Sequence, residues 1–209
     1  MGRSSATRPD LDCAAHLAHS QSCMAPQNPI FFTPSASTDW IDADSAWFEK
    51  LSGLEALSLA ERVHLARIAL QQQWICDIED TPAKRAALKE LGIHTATTNL
   101  GYIIASGNAA MAEYFAFRSG EISTVEAGIF YGYAPSAVVA FTGIVQHVAP
   151  EASWMTSATY FLGGAYSRDH SDRELELFTA QWDVLKNHAP TLCSLAEMEF
   201  ERIKPTLVA

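Results

Sequence analysis

Positive charge is in short supply in this chain. Its 209 residues carry 14 Lys and Arg against 24 Asp and Glu, a formal net charge of −10. No run of Lys or Arg makes a basic patch. Nucleic acid is therefore not an expected partner, because phosphate is repelled by the average surface. Cysteine is sparse as well. Cys13, Cys23, Cys76 and Cys193 form no CxxC pair. That usage argues against a disulfide framework and for a cytoplasmic protein. The phosphate-cradling patterns GxGxxG and GxxxxGK[ST] are missing, as are GxSxG and HExxH. No internal repeat is found. No apolar segment follows Arg3 and Arg8, so a secretory signal is not expected.

Long apolar runs are also few. An uncharged stretch runs over 127–150, between Glu126 and Glu151. Its length would span hydrocarbon. Yet it holds Pro135, Gln146, His147 and three glycines, and its flanks are acidic. A spanning helix carries such residues only with help from neighbours, and basic cytoplasmic flanks are the usual signature. Membrane insertion is not expected.

What is present reads as a mainly α protein. Residues 1–38 hold Pro9, Pro26, Pro29 and Pro34 among Ser, Thr, Ala and Gln. They are expected to be a disordered tail or a leader, with Met24 as an alternative start. Phe31 and Phe32 are its apolar exception. Residues 39–209 are expected to form a single globular helical domain. Asp42 to Asp80 has helical periodicity. Ser58 with Glu61 has capping-box spacing, and Leu59, Val63, Ala66, Leu70 and Trp74 recur on one face. Thr81-Pro82 opens a helix that Gly92 stops. Asn99 to Phe117 is expected as a buried helix, with a second cap at Ser123 and a short helix over Ser136–Gly143. A short β element is expected at about residues 158–166. Ser171 with Glu174 reads as a third capping box. Leu175, Phe178, Trp182 and Leu185 form the stripe of a helix that Pro190 ends, and a last helix runs over Thr191–Ile203.

Two clusters invite a metal and fall short of one. Cys13, His16, His19 and Cys23 are the right ligand types for zinc, but nothing of finger length separates the two pairs. Glu61-x2-His64 has the spacing of di-iron bundles, but no second such motif exists, and Glu61 already serves the cap. No metal and no cofactor is expected.

The centre carries the functional expectation. From Leu91 to Ser167 only Glu113, Arg118, Glu121, Glu126 and Glu151 are charged, and all six tyrosines fall there. Low charge with many tyrosines suits an aromatic ligand pocket. Its polar groups would be Tyr102, Arg118, Tyr131, Tyr133, His147 and the cluster Arg168-Asp169-His170, with His94 as a further candidate. The expected function is binding of a small apolar or aromatic ligand, with catalysis in the same pocket left open. The alternative is an assembly protein whose uncharged centre packs against a partner or a second copy, with tyrosines as anchors. Plainer readings exist for the same residues. Gly128 to Ser136 reads as a packed helix–turn–helix corner. Arg118-Ser119-Gly120 reads as a helix end with Gly120 at C′. No acid–base pair or nucleophile stands out, which favours binding or assembly over catalysis.

Overall fold

A computed structural model describes residues 40–148, 152–164 and 166–207. The expected tail, with its Cys/His cluster, lies outside the described residues. Within them the chain is mainly helical, and the helix starts follow local chemistry. Helix α1 (Ser45–Ser52) is capped by Asp44, whose carboxylate accepts from Trp47 N at 2.9 Å. Helix α2 (Leu59–Ala69) has the expected capping box. Glu61 N donates to Ser58 Oγ, and Ser58 N donates to Glu61 Oε2. Each such cap is worth about 1 kcal/mol.

The first departure follows α2. Leu70 caps it, Gln71 turns in the left-handed region with φ 56°, and the chain leaves as a strand, β1 (Ile75–Glu79). Helix α3 (Pro82–Glu90) opens on Thr81 with Pro82 in its first turn, as expected, and Gly92 follows with φ 69°. Strand β2 (His94–Thr97) then turns at Gly101 into β3 (Tyr102–Ser106). The three strands form an antiparallel sheet in the order β1-β3-β2, with Ile75 opposite Ser106 and Thr97 opposite Ile103. The single helix expected over Asn99–Phe117 is therefore split. Tyr102-Ile103-Ile104 prefers the pleat between two partners. Asn108 then caps α4 (Ala109–Phe117) by accepting from Met111 N.

Helices α5 (Thr124–Phe130) and α6 (Pro135–Phe141) are short and meet at a tight corner. Strands β4 (His147–Val148) and β5 (Tyr166–Ser167) pair with each other. The strand expected at 158–166 is instead α7 (Ser157–Leu162) for most of its length, because Thr156 and Thr159 make a reciprocal capping box. Two long helices close the fold, α8 (Ser171–His188) and α9 (Pro190–Leu207). No described helix is long and apolar enough to cross a membrane.

The main core lies where α2 meets α8, α9 and the sheet. Leu65, Ile68, Phe178, Leu185, Leu192 and Phe200 are sealed there. Each contributes about 1.5–3 kcal/mol by leaving water. Trp182 stacks on Phe161 with an interplanar angle of 11° and donates to Glu197. Trp74 belongs to a second, smaller cluster with Phe115 and Phe130. Helix α2 is buried on most of its circumference, and this places Arg67 in the interior.

Candidate functional site

Arg67 has a relative exposure of 0%. Its Nη2 donates to the Gly132 carbonyl at 3.4 Å and to Gln181 Oε1 at 3.3 Å. Both acceptors are neutral and both bonds are long. Its Nε has no partner among the described residues. Among those residues Arg67 forms no ion pair. Burial lowers the guanidinium to about 10, opposed by nearby Tyr133 and Cys76, so it stays charged at neutral pH. One turn earlier, His64 shares Nδ1 with Gln73 Oε1 at 3.0 Å. Burial, and then the Arg67 charge, push this imidazole down to about 4, so it is neutral at pH 7.

The α5–α6 corner closes over Arg67. Gly132 adopts φ 77°, and a Cβ there would lie 2.4 Å from the Gln72 carbonyl and 3.1 Å from Arg67 Nη2. Only glycine fits that conformation and that space. Gln72 Nε2 donates to the Gln181 carbonyl at 3.0 Å, while its Oε1 is left without a partner among the described residues. Tyr133 follows the corner. Its ring packs on Gly164, where a Cβ would lie 3.0 Å away.

Tyr166 continues this polar layer. Its exposure is 1%, and its phenol oxygen has no partner among the described residues. Burial raises its pKa well above the usual phenol range, and Glu174 and Tyr133 push the same way. Glu174 is 1% exposed and well held. Its carboxylate accepts from Ser136 Oγ at 2.5 Å and from Ser167 N at 2.8 Å. The expected Ser171 capping box is therefore absent. His170 occupies the cap position without a side-chain bond, and Glu174 faces inward. The result is a buried polar centre drawn from α2, the α5–α6 corner, β5 and α8, with a cation at one end and a carboxylate at the other.

The eight candidate residues do not converge. Tyr133 belongs to this centre. Tyr131 caps α5 and packs against the second cluster. Tyr102 stands at a strand end opposite Glu79. Arg118 caps α4, lies over the Tyr114 ring at 5.2 Å and pairs with Glu121 and Glu126. It is a helix-end residue, but Gly120 lies beyond C′ and is not left-handed. His147 pairs its backbone with Ser167. Arg168 bonds Gln146 through both side chain and backbone, and Asp169 and His170 complete an exposed turn. His94 pairs with Ser106 on β2.

Arg67, Gln181, Glu174 and Tyr166 are absent from the sequence-derived set. One signal for Arg67 was readable. It lies four residues after Val63 and three before Leu70, on the same apolar face.

Elsewhere the low-charge centre exposes apolar side chains. Phe117 is 89% exposed, Ile144 73% and Leu100 70%, with Val125 and Ile129 open on α5. No group of three or more His, Cys, Asp or Glu among the described residues is placed to hold a metal. Glu61 is committed to its cap and to Lys84 at 2.9 Å. Comparison with known proteins returns no matching family model, no matching curated protein and no matching solved structure.

Proposed function

We propose that this protein binds a small molecule at the buried polar centre beneath the Gly132 corner. The observation that carries this reading is a pair of sealed side chains, Arg67 and Tyr166, each with a polar atom lacking a partner among the described residues. Such atoms cost about 1–3 kcal/mol each when left dry, more for a charged group. A ligand that reaches them recovers that cost on binding. Tyr133, lying electrostatically between them, supports a tyrosine-lined site. A cytoplasmic setting fits this reading, since Cys76 and Cys193 are buried thiols outside any disulfide. Neither nucleic acid nor a metal has a part in it. The test is native mass spectrometry of untagged protein. A retained small mass, lost in Arg67→Gln, is the expected outcome.

A second reading is assembly of two copies through the low-charge centre. Its observation is the exposed set Phe117, Val125, Ile129 and Ile144. A monomer mass at all concentrations in sedimentation would dismiss it.

A further inference from the structure

We propose that the ligand of the buried centre is a small organic monocarboxylate, its carboxylate accepting from Arg67 Nε. This rests on the reading of that centre as a ligand site. The argument is one of charge. An arginine is not deprotonated in a protein, so burial cannot discharge Arg67 as it discharges His64. Its two hydrogen bonds go to the neutral oxygens of Gly132 and Gln181, which supply no counter-charge. Glu174 is the buried carboxylate on the far side of the centre, and its oxygens are taken by Ser136 and Ser167. Among the described residues, no carboxylate lies within ion-pairing distance of this buried cation.

Nε is buried and has no partner among the described residues, and its N–H lies in the guanidinium plane. A carboxylate meets such a planar edge well, and an amide or alcohol lacks the charge. Charge balance also chooses the valence of the anion. One negative charge neutralises Arg67. A phosphate carries about −1.5 to −2 at neutral pH, as phosphorylated side chains do. The surplus would face Glu174 in a region of low dielectric. Internal rivals exist. Cys76 and Tyr133 both sense the Arg67 charge, and a thiolate or phenolate would serve as counter-ion instead.

The test uses the full chain and matched probes. Benzoate is compared with benzamide, hexanoate with hexanamide, and inorganic phosphate is a third arm. Binding is read by isothermal titration after long incubation, since the centre is sealed. We expect at least one carboxylate to bind, and its amide to bind about tenfold or more weakly, the value of one charge-assisted bond. Arg67→Gln should abolish the preference and leave the amide unchanged. Arg67→Lys keeps the charge without the planar fork and should weaken the carboxylate by about tenfold. If Arg67→Gln does not fold, the lysine variant decides.

An amide that binds as tightly as its acid overturns the inference and leaves the ligand-site reading standing. So does phosphate binding more tightly than either acid. A retained ligand in the mass spectrum that is not a carboxylate does the same. A thiolate absorbance near 240 nm that disappears in Cys76→Ser, or a phenolate band that disappears in Tyr133→Phe, places the counter-charge inside the protein and also overturns it. Silence from every probe, with no retained mass, overturns both.

Discussion

Glu174 and Arg67 are both sealed from water, and the two ends of the buried centre hold them in opposite ways. Glu174 receives a hydroxyl from α6 and a backbone N–H from β5. Those bonds tie α8 to the two elements packed against it. Arg67 meets two neutral oxygens at the edge of bonding distance, and its Nε has no partner among the described residues. Removing a charged group from water costs several kcal/mol unless partners replace the water. At Glu174 they do. At Arg67 they do so only in part. One end is built like a fastening, and the other is a buried charge held by two long bonds to neutral oxygens.

The strongest way to break this contrast is Glu174→Ala. It strands the Ser136 hydroxyl and the Ser167 N–H. A loss of about 2–5 kcal/mol is expected in urea unfolding, since each neutral donor left buried and unpaired costs about 1–3 kcal/mol. A loss under about 1 kcal/mol would show that the fastening is not structural.

His64 sharpens the contrast through pH. Its folded pKa, about 4, lies below the ordinary value of 6.5. Between those values the unfolded chain binds the proton more readily, so stability falls as pH falls from 6.5 to 4 and levels off below. The expected loss is up to about 3 kcal/mol. His64→Gln should flatten that part of the profile. In Arg67→Met the onset of the loss should shrink, because the neighbouring cation is one of its causes. A profile that Arg67→Met does not alter would mean the two groups do not feel each other.

These residues also show which features a sequence can reveal. The caps at Ser58, Thr81 and Ser123 are local, each a side chain meeting a backbone N–H three residues on, and spacing is enough to find them. The stripe Phe178-Trp182-Leu185 is periodic and was equally readable. The sheet was not. Tyr102-Ile103-Ile104 is a short apolar run that helix and strand share, and its pairing with Ile75–Glu79 is settled across a long stretch of chain. Glu174 was misread for a related reason. Ser171 offered it a local cap, and Ser136 with Ser167 offered a better-buried one. Tyr133 stands out in the sequence by its aromatic setting. Arg67, Gln181 and Tyr166 join it only through the fold.

Arg67→Met tests the poorly paired end directly. Replacing a buried, poorly paired charge with an apolar side chain of similar length is often neutral or stabilising. The free protein should gain about 1–2 kcal/mol, or stay unchanged, while any retained ligand is lost. A loss of about 3 kcal/mol would make Arg67 a fastening like Glu174, and the contrast would collapse.

The smallest effect is expected at the other conspicuous cation, and it separates burial from charge as the cause. Arg118 is partly exposed, lies over Tyr114 and reaches Glu121 at 3.8 Å and Glu126 at 3.5 Å. Water screens both pairs, so each is worth about 0–1 kcal/mol. The network also survives without it, because Tyr114 Oη itself donates to Glu126 at 2.6 Å. Arg118→Ala should therefore cost under about 1 kcal/mol, with most of that erased in 0.5 M salt, where the screening length is only a few ångströms. Ligand retention should be untouched. If Arg118→Ala instead removes a bound molecule while the fold survives, the site lies at the end of α4 rather than beside Arg67, and the same titrations repeated on that variant would show it.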